Sequence, residues 1–599
     1  MARLGQVLRE ARQRKAYSFR EIEQATGLWP EYIKALETED FHGFASVAHV
    51  RSSLRLYARF LGLNVKHVFA LWEEALAEQT SIRQETTATS ISPLYAALIK
   101  GLLVCFAVLL FATGLVGGYR WLATRQSADA TPPMIGPGET PGPPSARSTP
   151  SPTPYSPISS TAVPRYTITV TLDYQGHHLD VEERIDYANR TDESLQDVVL
   201  NVFPNHDPDV FTLNSLSLEF GAGPMVPNHT LEDMTLRVPL PQQLAPGQVA
   251  TIFLDFALDL PYIDPTASFT TGTLGWSERA VDVGHWYPAL APFLPGEGWY
   301  TFSYHRVGDP YVMEEADYEI QIHAPDGVTV AGSGSEERDG NTWRYSMSQA
   351  RSFAFAASDQ YLTHSTEIDG ITVISYHFPG HADAGVEVAR VAAEALQTYG
   401  DQFGVRYPYL EYRVAEAEFA GGMEFSGLSF LGSLWYATYP GGVRCQLVSL
   451  LVHEVSHQWW YGLVGNDQVR EPWLDEALAT YSGLLFYKLW YPDDHQWAWE
   501  FEVLNYQPSG PINATIYDFD DQAAYMNAVY RHGALFLADL RNVMGDETFY
   551  AFLRDYCQSQ RHTISATEDF FSVASRHTSH DLNPLLDEYF TSEEGEGQQ

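Results

Sequence analysis

Two histidines four residues apart, His453 and His457, constrain this chain more than any other feature. They lie in a run from Gln446 to Tyr461 that contains neither proline nor glycine, which predicts a helix. Residues four apart share one face of a helix, so both imidazoles can bind the same Zn²⁺, with Glu454 beside the metal as a general base. The simpler interpretation is a pair of solvated or core histidines.

A catalytic zinc takes a third protein ligand and leaves one position for water. The candidate is Glu476, which eighteen residues separate from His457. That spacing lets the first helix end near Gly462 and a second helix begin at Pro472. The sequence therefore predicts one Zn²⁺ per chain, held by the two histidines and Glu476.

Three segments together resemble the alanyl aminopeptidase family of gluzincin metallopeptidases, over about residues 165–590. The first is "HEVSHQWWYGLVGNDQVREPWLDEALATY", which has the family's His-Glu-x-x-His, eighteen residues and Glu. Upstream, Gly421-Gly422-Met423-Glu424-Phe425 resembles the family's Gly-x-Met-Glu-Asn motif. Downstream, the segment from Tyr525 to Ala534 resembles the one that carries the family's catalytic tyrosine, usually Tyr-x-Lys-Gly.

The resemblance implies a peptide substrate that binds along an edge strand at Gly421, Gly422 and Met423, with Glu424 binding its free α-amine. Phe425 departs from the family's asparagine and leaves open whether the enzyme is an aminopeptidase or an endopeptidase.

The resemblance also implies a mechanism of zinc-assisted amide hydrolysis. Glu454 takes the proton of the attacking water and delivers it to the leaving amine. Tyr530 donates a hydrogen bond to the developing oxyanion. Tyr525 and Asp475 are candidates for supporting roles, Asp475 as a hydrogen-bond partner of a metal ligand. His532 stands where the family has lysine.

Charge and cysteine content narrow the class of protein. The net charge is −40, and almost all of the acidic excess follows residue 125. Such a surface favours solubility and repels nucleic acid and anionic membrane. The three cysteines exclude a disulfide scaffold.

Residues 1–79 predict a small helical domain with a helix-turn-helix pattern. The order of its helices resembles the helix-turn-helix domain of the RodZ family, which implies binding to an actin-like cytoskeletal filament. DNA binding is possible but disfavoured, because the presumed recognition helix has one basic residue against four acidic ones: Lys34, Glu31, Glu37, Glu39 and Asp40. A partner surface or a solvated helix face is predicted at Arg51, Arg55 and Arg59.

Residues 94–122 predict a single transmembrane helix, because the run from Gly101 to Tyr119 contains no charged residue. Residues 127–164 are rich in proline, serine and threonine, which predicts an extended linker. From this context we expect a single-pass protein of the cell membrane, with a cytoplasmic N-terminus and an extracytoplasmic catalytic domain.

The remaining sequence predicts two folded domains. Short alternating strands over residues 165–366 indicate a β-sandwich-like domain. Residues 367–590 mix strands with amphipathic helices, which indicates an α+β, thermolysin-like catalytic domain. Because the chain ends soon afterwards, we expect a more open cleft than in relatives with a further helical domain. The predicted fold class is therefore multidomain: a helix-turn-helix domain, one transmembrane helix, a β-sandwich-like domain and the catalytic domain.

Three functions are compatible with this organisation. The intact zinc set favours a membrane-anchored zinc metallopeptidase, with an aminopeptidase preferred. The second is a non-catalytic anchoring protein that binds a cytoskeletal partner and carries a peptide-binding ectodomain. The third is a membrane-anchored DNA-binding regulator.

Overall fold

A computed structural model describes residues 4–15, 17–20, 22, 30–39, 50, 54, 57–63, 67–69, 71–72, 163–220, 223–264, 273–294 and 296–590. Its α-helices are α1 Leu4–Arg14, α2 Pro30–Thr38, α3 Ala382–Phe403, α4 Ser433–Ala437, α5 Gln446–Ser456, α6 Trp473–Trp490, α7 His495–Glu502, α8 Gln522–Tyr525, α9 Gly533–Met544, α10 Asp546–Gln560, α11 Thr567–His577 and α12 Asn583–Tyr589. A π-helix, Met526–His532, joins α8 to α9.

In the N-terminal helical region, α1 packs against α2 around a small apolar core. Two of the acidic residues counted against DNA binding serve this packing. Glu37 is buried and accepts hydrogen bonds from Arg12 Nε at 2.7 Å and Tyr57 Oη at 2.5 Å. Glu39 accepts a hydrogen bond from the Gly5 backbone N–H at 2.8 Å. These two carboxylates therefore stabilise the helix pair and say little about a partner.

The predicted arginine surface lies mostly outside the described residues, since of its three members only Arg59 is described, and it is exposed. The predicted filament or DNA binding of this region stays a prediction.

The next region consists of strands, as the alternating pattern predicted. They are β1 Arg165–Asp173, β2 His178–Ala188, β3 Leu195–Asn201, β4 Phe211–Glu219, β5 Pro224–Met225, β6 Thr230–Glu232, β7 Thr235–Leu244, β8 Val249–Asp259, β9 Leu274–Trp276, β10 Val281–Val283, β11 Ala289–Leu290, β12 Phe293–Leu294, β13 Gly298–Trp299, β14 Ala316–His323, β15 Thr329–Gly332, β16 Ser335–Asp339, β17 Thr342–Ala350 and β18 Phe355–Ser358.

An eight-stranded sheet, in the order β16-β17-β14-β1-β2-β8-β4-β5, shares one apolar core with two four-stranded sheets, β15-β18-β10-β9 and β11-β3-β7-β6. Strand β2 illustrates this packing: Leu179, Val181 and Ile185 are buried on one face and alternate with more exposed residues, and Glu183 is the buried polar exception on that face. Sheets with one apolar face pack against each other, which gives the sandwich-like arrangement.

The catalytic region is built on a five-stranded sheet covered by helices. Its strands are β19 Leu362–Ile368, β20 Ile371–His377, β21 Glu411–Ala417, β22 Gly422–Phe425 and β23 Leu428–Gly432, in the order β19-β20-β21-β23-β22. Strand β22, which carries the predicted substrate motif, is therefore an edge strand. Helices α3, α5 and α6 form the largest apolar core of the described chain with this sheet. A short parallel pair, β24 Val464–Asn466 and β25 Thr563–Ser565, completes the region.

One part of the predicted fold class was wrong. Among the described residues, no helix combines the length and the apolar composition needed to cross a bilayer. The described part of the chain consists of the helical region, the sandwich-like sheets and the α+β catalytic region, and the expected transmembrane helix is not among its helices. The segment on which that expectation fell, residues 94–122, lies outside the described residues, as does the linker up to residue 162. The predicted location across a membrane stays untested.

Candidate active site

The three predicted metal ligands lie together at the meeting of α5 and α6. His453 Nε2 is 3.1 Å from Glu476 Oε2 and 3.1 Å from His457 Nε2, and His457 Nε2 is 3.6 Å from the same Glu476 oxygen. The helix repeat aligns the histidines, and Glu476 lies in the first turn of α6. Two imidazole nitrogens and one carboxylate oxygen at these separations suit a single Zn²⁺ and leave a position for water. The residues present therefore fit the metal.

A hydrogen-bond chain fixes the orientation of His457. Its Nδ1 lies 2.5 Å from Asp475 Oδ1 and 3.0 Å from the Trp460 carbonyl oxygen, so Nε2 is left for the metal. Gln468 donates to the other Asp475 oxygen and, at 3.3 Å, to Glu424 Oε1. The supporting role predicted for Asp475 matches this geometry. Gln468 was not predicted from the sequence, because it belongs to no recognisable motif or spacing.

Glu454 is buried beside the ligands. Its side chain is 4% exposed, and its Oε2 has no hydrogen-bond partner in the part of the chain that is described. Burial raises the pKa of Glu454 to about 8, near the range in which a general base works at neutral pH. Gly422 of β22 lies directly against it, since a Cβ on Gly422 would be 2.1 Å from Glu454 Oε1. Glycine is therefore required there for the strand to approach the base.

Strand alternation divides the residues of β22 between two sides. Gly422 and Glu424 face the metal site, where the ligand atoms of Glu424, Glu454 and His457 lie within 4.8 Å of one another. Met423 and Phe425 point the other way and are buried in an apolar cluster. Gly421, just before the strand, contributes its carbonyl oxygen to a hydrogen bond with the Gly432 N–H at 2.8 Å.

The departure at Phe425 is therefore a packing change on the side of β22 that faces away from the cleft. Its ring contacts the rings of Phe430 and His285, with centroids 5.1 Å away in each case. The Phe425 carbonyl oxygen accepts a hydrogen bond from Gln458 Nε2 at 2.9 Å. The side chain of Phe425 therefore gives no physical reason to expect a different cleft.

Tyr530 lies in the π-helix and reaches the metal site. Its ring is stacked on that of His453, with centroids 5.7 Å apart and planes 7° from parallel. Burial and the charge of Glu476 raise the pKa of Tyr530, so its hydroxyl keeps its proton and can donate it. Tyr525 packs edge-on against Tyr530, with centroids 5.5 Å apart. The wider π turn was not predicted, and such turns are frequent at functional sites.

His532, the other departure from the family motif, points elsewhere. Its Nδ1 is 2.7 Å from the Gly510 carbonyl oxygen, and its ring packs on Tyr589. It therefore supports the local fold.

The sequence analysis also missed Asp309, which reaches the site from the sandwich-like region. Burial, with the charges of Glu476 and Asp475, raises the pKa of Asp309 to about 8. Asp309 lies in an irregular segment between β13 and β14, where no periodicity indicates which way a side chain faces.

Two family models match the chain. Residues 388–589 match the model described as peptidase family M1 domain, and residues 7–68 match one described as a helix-turn-helix domain. The first match contains all three predicted metal ligands, together with Glu454 and Tyr530.

Several curated relatives that the chain matches are aminopeptidases. Aminopeptidase M1 of Arabidopsis thaliana is 27% identical over 232 residues, covering 36% of this chain and 26% of that relative. Aminopeptidase N of Streptomyces lividans is 26% identical over 287 residues, covering 42% of this chain and 32% of that relative. This chain thus spans about a quarter of the length of the first relatives it matches.

Among solved structures, the M1 zinc metallopeptidase from Deinococcus radiodurans is similar, with a TM-score of 0.50 at 18% identity, covering 71% of this chain and 93% of that one. A variant of that protein bound to a Tyr-Ser-Ala substrate gives 0.51 at 19% identity, with the same coverage of 71% and 93%. At such identities the likeness shows the fold alone. Residues 388–589 are thus similar to peptidase family M1 by the family model, and the ligand set within them fits zinc as the cofactor.

Proposed function

We propose that this protein is a zinc-dependent aminopeptidase that hydrolyses the N-terminal residue from peptides. The observation that carries the proposal is the convergence in one site of a metal-ligand set, the half-buried Tyr530, and the buried Glu454, whose Oε2 has no hydrogen-bond partner among the described residues. Peptide substrates are supported by the edge position of β22, whose backbone is free on one side to pair with an extended chain.

Each residue has a role in the proposed reaction. His453, His457 and Glu476 would hold the Zn²⁺, which when bound would act as a Lewis acid towards the scissile carbonyl and lower the pKa of water. Glu454 accepts the proton of the attacking water and passes it to the leaving amine. Tyr530 donates a hydrogen bond to the oxyanion as it forms.

Recognition of the free amine falls to Glu424. This carboxylate is buried, adjacent to Glu454 and His457, and receives only a 3.3 Å hydrogen bond from Gln468 among the described residues. A substrate ammonium would provide the charged partner that a buried carboxylate needs. Because Phe425 faces away from the cleft, it does not weigh against an aminopeptidase.

The test uses the zinc-loaded full-length protein. Zinc is quantified by mass spectrometry, and cleavage of alanyl- and leucyl-aminomethylcoumarin is compared with cleavage of their N-acetylated forms. We expect about one zinc per chain, together with cleavage that needs a free amine and is lost in Glu454→Gln. Cleavage of the acetylated substrates alone would indicate an endopeptidase. Zinc binding without any cleavage would favour the non-catalytic, peptide-binding alternative.

A further inference from the structure

Gln468 connects two parts of the proposed active site, the metal ligands and the carboxylate assigned to the substrate's amine. Its Nε2 donates to Asp475 Oδ2 and, at 3.3 Å, to Glu424 Oε1. The other Asp475 oxygen lies 2.5 Å from His457 Nδ1. One side chain on the segment between β24 and α6 therefore joins a predicted metal ligand to the edge strand β22.

The chemistry of the two partners determines which end of the Gln468 amide lies between them. Ionised carboxylates only accept hydrogen bonds, so the NH2 group, which has two donors, must face Asp475 and Glu424. The carbonyl oxygen of Gln468 is buried and has no hydrogen-bond partner among the described residues. A buried acceptor without a partner destabilises the fold. Packing alone therefore does not explain this side chain, whereas the placement of its two donors does.

The donors of Gln468 also lie between two like charges. Asp475 is 1% exposed and Glu424 is 6% exposed, so water screens neither carboxylate well. Two buried carboxylates in one site repel each other, and hydrogen bonds to their charged forms offset that repulsion. Among the described residues, Gln468 supplies the hydrogen bond that Glu424 receives. Without that bond, Glu424 would be free to turn away from the position at which an ammonium group would meet it.

The backbone around Gln468 is held independently of its side chain. Asp467 Oδ1 accepts hydrogen bonds from the N–H groups of Val469 and Arg470, at 3.0 and 2.9 Å. The Val469 carbonyl oxygen accepts a hydrogen bond from the Ile516 N–H at 3.0 Å. A substitution of the Gln468 side chain should therefore change the site without unfolding the segment that carries it.

We propose that Gln468 is a positioning residue that couples recognition of the substrate's α-amine to the metal site. Its amide holds Glu424 towards the cleft and Asp475 towards His457, so one side chain supports both. This inference rests on the proposed aminopeptidase function and concerns the same site.

The first test measures amine recognition by calorimetry on the zinc-loaded full-length protein. Leucine hydroxamate and its des-amino analogue, 4-methylpentanohydroxamate, share a zinc-binding group and a side chain, so the ratio of their Kd values isolates the α-amine. We expect the unmodified protein to bind the amine-bearing ligand more tightly. Gln468→Met keeps the length of the side chain and removes both donors. In this variant the preference for the amine should fall by about tenfold, because a hydrogen bond to a charged group is lost.

The second test measures zinc affinity by competition with a chelator, which requires no turnover. Gln468→Met should weaken zinc binding by about three- to tenfold, because it acts on His457 only through Asp475. In an Asp475→Ala background the same substitution should have no further effect on zinc affinity. Equal losses in both backgrounds would overturn the proposed coupling, since Gln468 would then act on the metal site without Asp475.

Gln458→Met is the matched control. Gln458 is also a buried glutamine, and its side chain donates to the Phe425 carbonyl oxygen at 2.9 Å and accepts from the Gly427 N–H at 2.8 Å. Its loss should lower Tm and keep the ratio of the two hydroxamate Kd values. An equal fall of that ratio in Gln458→Met and Gln468→Met would overturn this inference, since any loosening of β22 would then have the same effect.

An unchanged ratio in Gln468→Met would overturn this inference and leave the aminopeptidase intact. Equal affinity of the unmodified protein for the two hydroxamates would instead refute recognition of a free amine, and the proposed function with it.

Discussion

The two sides of the cleft are built in different ways. On the metal side, His453 and Glu476 come from helices whose backbones are fixed by their own hydrogen bonds. On the opposite side, Asp309 comes from an irregular segment that is fixed by contacts with the catalytic region. The metal side is therefore positioned by local helical structure, whereas the position of Asp309 depends on packing between the two regions.

The contacts of that segment follow a regular pattern. Ser303 exchanges two hydrogen bonds with the Tyr517 hydroxyl, at 3.1 and 3.0 Å, and His305 Nε2 lies 2.9 Å from the Phe519 carbonyl oxygen. The two segments run alongside each other and lead on one side to Asp309 and on the other to the helix that carries Tyr530. Changes on the metal side should therefore affect chemistry, and changes in this segment should affect substrate choice.

The largest effect is expected on the metal side, at Glu454. Glu454→Gln removes the proton acceptor but keeps the shape of the side chain, so kcat should fall by about 10²–10⁴-fold. Zinc content should be unchanged, because the ligands are untouched. Activity assays and metal analysis on the same preparation check both points. Wild-type kcat in the variant would remove Glu454 from the mechanism.

Tyr530→Phe should have the next largest effect. Loss of one donor to an oxyanion costs about 10²–10³-fold in kcat, and KM should change little because the ring remains. Tyr550→Phe, on α10 away from the cleft, is the matched control for loss of a hydroxyl. Equal kinetics in the two variants would assign Tyr530 to packing against His453.

The division between the two sides also explains what the sequence could predict. The helix repeat and the spacing from His457 to Glu476 predicted three ligands that the fold brings together, and period-two alternation indicated the sandwich-like sheets. The π-helix around Tyr530 could not be predicted from the sequence, because it changes the hydrogen-bond register within an otherwise α-helical segment. Asp309 and Gln468 were missed because their positions depend on tertiary packing between segments distant in sequence. The side of β22 on which Phe425 lies could not be predicted, because it became evident only with the sheet.

A moderate effect is expected at Asp475, which orients a ligand without touching the metal. Asp475→Asn weakens the hydrogen bond that fixes His457, so zinc affinity should fall by about 10–100-fold. Competition with a chelator measures this directly. Asp493→Asn, at an exposed site, controls for the change in charge. Unchanged zinc affinity would show that burial alone orients His457.

The smallest effect is expected from Gly308→Ala, and it tests the second side of the cleft. Gly308 has φ +74°, and an added Cβ would be 2.6 Å from Ile516 Cγ2. Gly327→Ala is the matched control, since Gly327 has φ +86° with open space around it. The left-handed backbone should cost each variant about 1–2 kcal/mol of unfolding free energy. Only Gly308→Ala should also push this segment away from Ile516 and Tyr525, and so raise KM for aminoacyl substrates by about a few-fold while zinc content stays the same. An equal KM in both variants would mean that this segment shapes the cleft independently of its contact with the catalytic region, and the contrast between the two sides would then fail.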